Sequence, residues 1–279
     1  MTKTLLSIGH GYSARALGRR LVADGWRVIG TTRSAEKAEA LRRDEVEPLI
    51  WPGADLAPAI TEATHILTSV APGEAGDSVL EAAGPALRAA SPEWVGYLST
   101  IGVYGDRQGD WIDESADLRP STKRGEARVE AEAAWAALGQ PLHIFRLAGI
   151  YGPGRGPFSK VRKGTARRII KEGQVFSRIH VEDIATVLAA SIARPRPGAI
   201  YNVCDNEPAP PQDVIAHAAQ LLGLPVPPAI PFEEAEMSPM ARSFYSESKR
   251  CSNARIREEL GVTMAYPGYR AGLAALLDD

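Results

Sequence analysis

Short apolar runs alternate with longer segments of helical period along most of this 279-residue chain. Two of the helical segments, 77–90 and 122–138, are rich in alanine, leucine and glutamate, which are strong helix formers. This alternation predicts repeated βα units around a mostly parallel sheet. The predicted strands are 3–8, 26–32, 46–50, 64–70, 94–100, 142–147 and 199–203, and the predicted helices are 13–24, 34–43, 77–90, 122–138 and 181–194.

The first predicted strand runs into a glycine-rich turn that opens a helix. The stretch "LLSIGHGYSARALGRRL" places Gly9, Gly11 and Ala14 in a G-x-G-x-x-A spacing. Glycine at position 9 permits a tight turn, glycine at 11 lets the backbone approach a pyrophosphate, and a small residue at 14 allows close packing of helix on strand. The strand–turn–helix context predicts a dinucleotide site, in which we include Tyr12. A tight turn that binds nothing is the alternative.

These features together predict an α/β fold, with a Rossmann-type doubly wound parallel sheet and a small C-terminal lobe. The predicted Rossmann domain covers 1–152 plus about 175–205. The remainder, about 153–174 and 206–279, is richer in proline and short helices, and we predict that it forms a substrate lobe over the ends of the sheet.

The end of the second strand discriminates between the two nicotinamide dinucleotides. An NAD site usually has an acid there for the ribose 2′-hydroxyl, whereas an NADP site uses an arginine for the 2′-phosphate. Here the strand ends in "GTTRS", which contains no acid and places Arg33 between Thr32 and Ser34. We therefore predict NADP rather than NAD, with a solvated Arg33 as the alternative. Val70, at the end of the fourth strand, is assigned to the same site.

Composition excludes several classes of function. The net charge of -2 gives no overall electrostatic attraction to nucleic acid or an anionic membrane. Cys204 and Cys251 have no CxxC partner, which argues against a disulfide framework or a metal site. No apolar run approaches the ~20 residues of a membrane span. We therefore expect a cytoplasmic protein that acts on a small molecule, and the sequence leaves a homodimer open.

Five motifs in a fixed order carry a family resemblance that covers almost the whole chain. They are the glycine turn, "LSTIGVYG" (98–105), "FRLAGIYGPG" (145–154), "SRIHVEDIA" (177–185) and "YNVCD" (201–205). This set resembles the extended branch of the short-chain dehydrogenase/reductase superfamily, which contains NAD(P)-dependent epimerases and dehydratases. The "TTR" after the second strand and "SNARIREELG" (252–261) are most similar to its atypical members.

The resemblance implies where the reaction takes place. In that superfamily a serine or threonine ending the fifth strand orients the substrate, and a Tyr-x-x-x-Lys pair on the next helix transfers the proton and holds the nicotinamide ribose. The hydroxyl position corresponds to Thr100, with Ser99 beside it. The tyrosine corresponds to Arg124 and the lysine to Arg128. The Asp-Glu pair of family dehydratases is replaced by "IG" at 101–102, which argues against a sugar dehydratase.

Replacement of the tyrosine by arginine changes the chemistry that this site can perform. Arg124 cannot act as a general acid near neutral pH because a guanidinium stays protonated, but it can polarise a carbonyl or bind an anion. Arg128 can keep the lysine's role towards the cofactor ribose. Alternatively, both arginines belong to a solvated helix face, paired with Glu126, Glu130 and Glu132.

A basic loop follows the third motif of the resemblance. Its cationic side chains are opposed by one acid, Glu172. We see two readings, a site for an anionic substrate and an ordinary solvated patch. The basic residues are Arg155, Lys160, Arg162, Lys163, Arg167, Arg168 and Lys171.

Two functions from different classes remain after the sequence analysis. The first is an NADP(H)-binding oxidoreductase or isomerase of the atypical short-chain class, with Thr100, Ser99, Arg124 and Arg128 as its catalytic residues and no metal. The second is a non-catalytic protein that senses the NADPH/NADP⁺ ratio or serves as a scaffold, which requires unequal affinity for the two redox forms.

Overall fold

The computed structural model describes residues 3–277. The strands are β1 Thr4–Ile8, β2 Arg27–Thr32, β3 Glu47–Ile50, β4 His65–Thr68, β5 Trp94–Thr100, β6 Trp111–Ile112, β7 Leu142–Leu147, β8 Gly149–Tyr151, β9 Arg168–Ile170, β10 Arg178–His180, β11 Ile200–Val203, β12 Ala229–Pro231 and β13 Arg250–Cys251. The helices are α1 Tyr12–Ala23, α2 Ala35–Arg43, α3 Ala57–Glu62, α4 Ser78–Ala89, α5 Lys123–Ala136, α6 Phe158–Arg162, α7 Val181–Ala193, α8 Pro211–Leu221, α9 Pro239–Phe244, α10 Ala254–Leu260 and α11 Tyr269–Ala275.

A seven-stranded sheet forms the centre of the molecule. Its order is β11-β7-β5-β4-β1-β2-β3, and all of its neighbouring strands pair in parallel. The strand order reverses direction between β1 and β4, which is the switch point where doubly wound folds bind their ligands. The predicted Rossmann-type fold class is thus confirmed, and each of the seven strands overlaps its predicted range.

The period of two along each strand divides the core between the two faces of the sheet. Leu5 and Phe145 face a layer formed by α1, α7 and α10, whereas Leu6 and Ile144 face a layer formed by α3, α4 and α5. Both faces are apolar because a parallel sheet is covered by helices on each side. This packing fixes α1 on one face and α5 on the other, with their N-termini at the carboxyl edge of the sheet.

Short paired strands connect the C-terminal part of the chain to the sheet. β8 pairs with β10, β9 with β12, and β6 with β13. A separate apolar cluster, which includes Phe158, Val214 and Leu273, joins α6, α8 and α11. Residues 251–264, which the predicted boundaries assign to the lobe, contribute Cys251, Ile256 and other side chains to the main core. The predicted domain boundaries remain a prediction.

Candidate functional site

A cavity of about 870 Å³ opens at the carboxyl edge of the sheet, beside the switch point. It runs from the glycine turn past the end of β5 to the C-terminal segment 243–249. Its wall includes the predicted site residues Gly9, Gly11, Tyr12, Ser99, Thr100, Arg124 and Arg128. The predicted residues Ala14, Thr32, Arg33, Ser34 and Val70 lie outside this wall.

The glycine turn has the backbone geometry that a phosphate site requires. Gly9 has a φ of 79°, and its N–H donates to Thr31 Oγ1 at 2.7 Å while Ser69 donates to its carbonyl. A Cβ at position 9 would lie 2.9 Å from the Val70 side chain, so Val70 supports the turn from behind. A Cβ at Gly11 would meet no protein atom closer than 3.8 Å. The space at Gly11 is therefore open towards a ligand.

The N-terminus of α1 presents backbone donors without competition from side chains. Gly11 is its N-cap, no side chain caps the first turn, and that turn contains no acid. Ala14 is fully buried, as the predicted close packing requires. Arg155 lies over the ring of Tyr12 at 5.7 Å, and the Tyr12 hydroxyl donates to Pro153 O at 2.9 Å. This end of the cavity is therefore suited to an anion.

The end of β2 carries no carboxylate, and its arginine is exposed. Within residues 3–277, the Arg33 side chain makes no hydrogen bond or ion pair. Ser34 is the N-cap of α2, where its hydroxyl accepts from Lys37 N at 3.4 Å. Arg33 is thus available to a ligand that extends from the glycine turn past β2.

Two adjacent hydroxyls at the end of β5 have different partners. Ser99 is 4% exposed and donates to Glu132 Oε1 at 2.5 Å. Thr100 Oγ1 accepts a hydrogen bond from Gly102 N at 3.1 Å. The proton of the same hydroxyl can still be donated to a ligand. Thr100 is therefore the hydroxyl that can orient a substrate, while the Ser99 proton is used inside the protein.

Glu132 belongs to a buried polar network behind these hydroxyls. It forms an ion pair with Arg146 at 2.7 Å, and the two side chains are 5% and 3% exposed. Arg146 also donates to the Tyr104 hydroxyl at 2.8 Å, which in turn donates to Asn202 Oδ1 at 2.8 Å. Additional hydrogen bonds to such a pair help to offset the cost of burying its two charges. The network anchors α5 to β5, β7 and β11.

Arg128 and Arg124 lie on the cavity side of α5, one turn apart. Arg128 donates through Nη1 to the Tyr97 hydroxyl at 2.9 Å and to Leu98 O at 2.8 Å. Arg124 lies over the ring of Phe244 at 5.4 Å. The alternative in which both arginines pair with neighbouring glutamates is wrong for Glu132, because its carboxylate is bound by Arg146 and Ser99.

The segment 243–249 closes the cavity against the start of α5. Phe244 is 55% exposed, and Glu247 accepts from the Ser121 hydroxyl at 2.5 Å. Lys249 is buried and pairs with Glu247 at 2.6 Å. These residues were not predicted, because "SFYSESK" has neither a motif nor a periodic pattern and reaches the site only through the fold.

Three further groups that could transfer a proton, on two tyrosines and a glutamate, are bound by the protein. The Tyr104 hydroxyl is buried in the Arg146 network, and Glu114 accepts from Asn202 N at 2.7 Å. Tyr151 lines the cavity, but burial raises the pKa of its phenol and the hydroxyl donates to Gly268 O at 3.4 Å. None of these groups takes the place of the missing tyrosine.

The basic loop mostly binds other parts of the chain. Arg168 donates to Pro227 O at 3.2 Å, and Arg167 and Lys171 donate to the carbonyls of Glu236 and Tyr245. Of the loop's basic residues, Arg155 is the one that lines the described cavity wall. Most of the loop's charge therefore lies away from the candidate site.

No group of three or more histidine, cysteine or acidic side chains among residues 3–277 is arranged to hold a metal ion. No helix in the same part of the chain is long and apolar enough to cross a membrane.

Solved structures of known proteins share this fold. A functionally unknown conserved protein from Silicibacter pomeroyi is 60% identical, with a TM-score of 0.94 and coverage of 99% of this chain and 98% of that chain. A protein of the NAD-dependent epimerase/dehydratase family from Methylobacillus flagellatus is 29% identical, with a TM-score of 0.75 and coverage of 99% and 98%. UDP-glucuronic acid 4-epimerase from Bacillus cereus, in complex with NAD, is 16% identical with a TM-score of 0.79 over 99% and 97%.

Sequence comparison finds curated relatives as well. Protein YeeZ from Escherichia coli K12 is 28% identical over 95% of this chain and 97% of its own length. A 3-diazoavenalumate denitrifying reductase from Streptomyces is 30% identical over 47% of this chain and 45% of its own length. No family model matches the sequence. The chain belongs to the family of the Silicibacter pomeroyi protein, within the extended short-chain dehydrogenase/reductase superfamily that contains the NAD-dependent epimerases and dehydratases.

Proposed function

We propose that the protein is a nicotinamide-dinucleotide oxidoreductase or isomerase that works without the superfamily's tyrosine. The observation that carries this proposal is a single cavity whose wall contains the glycine turn, Thr100, Arg124 and Arg128. The relatives support it, because they include NAD-dependent epimerases and a reductase.

The residues at the glycine turn fit a dinucleotide. The open space at Gly11 and the uncapped N-terminus of α1 would hold the pyrophosphate, with Arg155 and Tyr12 beside it. Arg128 would hold the nicotinamide ribose, since its Nε and Nη2 make no hydrogen bond within residues 3–277. When bound, such a cofactor supplies or accepts a hydride.

NADP is the preferred dinucleotide in this proposal. The support is Arg33, which is exposed at the end of β2 without a protein partner in the described chain and can bind a 2′-phosphate together with Thr32 and Ser34. The solved neighbours with a bound cofactor contain NAD. The two dinucleotides must therefore be compared directly.

We assign the proton in this mechanism to Lys249, because the other cations of the described cavity wall are guanidinium groups. Guanidinium groups cannot give up a proton near neutral pH, and the Tyr151 phenol has a raised pKa caused by burial. The Lys249 ammonium lines the cavity and is held by Glu247. Thr100 orients a carbonyl oxygen, Lys249 protonates that oxygen as the carbon is reduced, and Arg124 binds an anionic group of the substrate beside them.

Calorimetric titration with NADPH, NADP⁺, NADH and NAD⁺ tests the first step. We expect binding that is tighter for the phosphorylated pair. Turnover is then measured with a panel of aldehydes, ketones and their alcohols, using Lys249→Gln as the variant that should lose carbonyl reduction while keeping its dinucleotide affinity. Absence of binding to all four dinucleotides would exclude the proposal.

Binding without turnover of any substrate in the panel would favour the non-catalytic alternative. In that case NADPH and NADP⁺ must differ in affinity, because a ligand that binds two states equally cannot report on either.

A further inference from the structure

The cavity wall carries a strong excess of positive charge. Five cationic side chains face it within the described chain, against the single carboxylate of Glu247. Because Glu247 is bound by Lys249 and Ser121, it leaves most of this charge uncompensated. The five cations are Arg124, Arg128, Arg155, Arg178 and Lys249.

Four of these five cations already have a protein partner or a place at the cofactor end of the cavity. Arg178 donates to the carbonyls of Phe176 and Ala209, each at 2.9 Å, and Lys249 is paired with Glu247. Arg128 is held against β5, and Arg155 lies beside the glycine turn at the cofactor end. Arg124 therefore remains as the cation without an assigned partner at the end near Thr100.

The Arg124 guanidinium makes no hydrogen bond or ion pair within residues 3–277. Its contact is the face of Phe244, a ring that is 55% exposed and lines the same cavity. Stacking on a ring leaves the edge of a guanidinium, with its forked donors, free to bind two oxygens at once. The segment that carries Phe244 is fixed by the Ser121–Glu247 hydrogen bond, so the pair is held at the wall.

Aromatic residues of the same cavity wall, Phe176 and Phe244, fit a flat apolar body attached to the anion. Phe176 lines the cavity and packs edge-on against Tyr245 at 5.8 Å, one residue after Phe244. Aromatic faces at the wall favour a planar ligand, because stacking adds to the area that is buried. One unassigned guanidinium balances a single negative charge. A carboxylate carries one such charge, whereas a diphosphate carries more.

We propose that the substrate is an aromatic or similarly planar carboxylate, whose carboxylate oxygens are bound by the Arg124 fork and whose ring packs against Phe244. This proposal rests on the function proposed above and adds its substrate class. It also gives a reason for arginine at the tyrosine position: the side chain binds the substrate's charge, and the proton comes from another element.

Calorimetric titration with benzoate, with and without saturating NADP⁺, tests the proposal. We expect benzoate to bind, neutral benzamide to bind at least ten-fold more weakly, and Arg124→Gln to weaken benzoate at least ten-fold. Phe244→Ala should weaken benzoate more than it weakens acetate. The matched control is Arg162→Gln, because Arg162 is also exposed and lies 5.6 Å over a phenylalanine ring, that of Phe158, but outside the cavity wall.

The outcomes separate the two proposals. Binding of NADP⁺ without Arg124-dependent binding of benzoate overturns the substrate class and leaves the dinucleotide function standing. If benzoate binds in an Arg124-dependent way but none of the four dinucleotides binds, the anion site is supported and the proposed function is wrong. If UDP binds more tightly than benzoate and loses that affinity in Arg124→Gln, the ligand is a nucleoside diphosphate and the proposal is wrong.

Discussion

At the glycine turn the cavity wall is largely backbone, whereas around Thr100 it consists of side chains that bind one another. The first end leaves donors open: Gly11 has space beside it and no side chain caps α1. The second end satisfies its polar atoms internally, through Ser99, Glu132 and Arg146. Substitutions of the open donors at the first end should therefore affect ligand binding, and substitutions within the Ser99–Glu132–Arg146 network should affect the folded state.

The largest effect is expected from Glu132→Ala at the second end. It leaves the Arg146 guanidinium buried without its carboxylate, which typically costs about 3–5 kcal/mol of unfolding free energy. Urea denaturation measures this loss. Glu130→Ala is the control, since Glu130 is exposed on the same helix and its removal should change stability by less than about 0.5 kcal/mol. Equal losses in the two variants would contradict a network that anchors α5.

Acid should destabilise the protein through the first end. His10 lies buried between α1 and β2, and burial lowers its pKa to about 4. Below the unfolded value of 6.5, the unfolded chain binds a proton that the folded chain refuses, so stability falls as the pH decreases from 6.5 towards 4. The loss from His10 is about 3 kcal/mol.

Urea denaturation between pH 7 and pH 4.5 measures this dependence. His65 adds to it in the same direction, because burial also lowers its pKa to about 4. The variant His10→Gln cannot titrate and should show a flatter profile than the natural protein. If the pH dependence of stability is unchanged in that variant, His10 takes up its proton as readily in the folded state as in the unfolded state.

How much the sequence predicts differs between the two ends for a physical reason. The glycine turn is local: a strand, two glycines and a helix start lie within a few residues, so their spacing predicts both the geometry and the ligand class. The site around Thr100 draws on α5, the partner strand β7 and the segment 243–249. Its contacts depend on which distant segments the fold brings together.

Glu132 and Lys249 show this limit most clearly. In the sequence Glu132 is one of several glutamates on a helix and suggests a surface ion pair with Arg128, whereas the fold buries it against Arg146. Lys249 stands in an aperiodic stretch, and no spacing relates it to residues 99–128. The short strands β6, β8, β9, β10, β12 and β13 were missed for the same reason, since two or three residues carry no periodic signal.

Gly11→Ala separates binding from folding at the first end. The added methyl group meets no protein atom within 3.8 Å, so the loss of stability should stay within about 1 kcal/mol, the usual cost of alanine at an N-cap. Because that methyl occupies the approach of a pyrophosphate to the backbone, dinucleotide affinity should fall by about ten-fold or more. Gly9→Ala is the contrasting variant, since its φ of 79° disfavours alanine and should lower stability as well. Unchanged dinucleotide affinity in Gly11→Ala would place the phosphates elsewhere.

The smallest effect concerns the choice between the two dinucleotides. Arg33→Gln removes an exposed cation that is available to a 2′-phosphate, so calorimetry should show NADP⁺ weakened by about ten-fold and NAD⁺ little changed. Arg43→Gln, at the far end of α2, is the matched control and should alter neither affinity. If Arg33→Gln leaves the NADP⁺/NAD⁺ ratio unchanged, Arg33 is solvated. The backbone of the glycine turn would then bind a pyrophosphate without selecting the ribose, and the preference for NADP would lose its support.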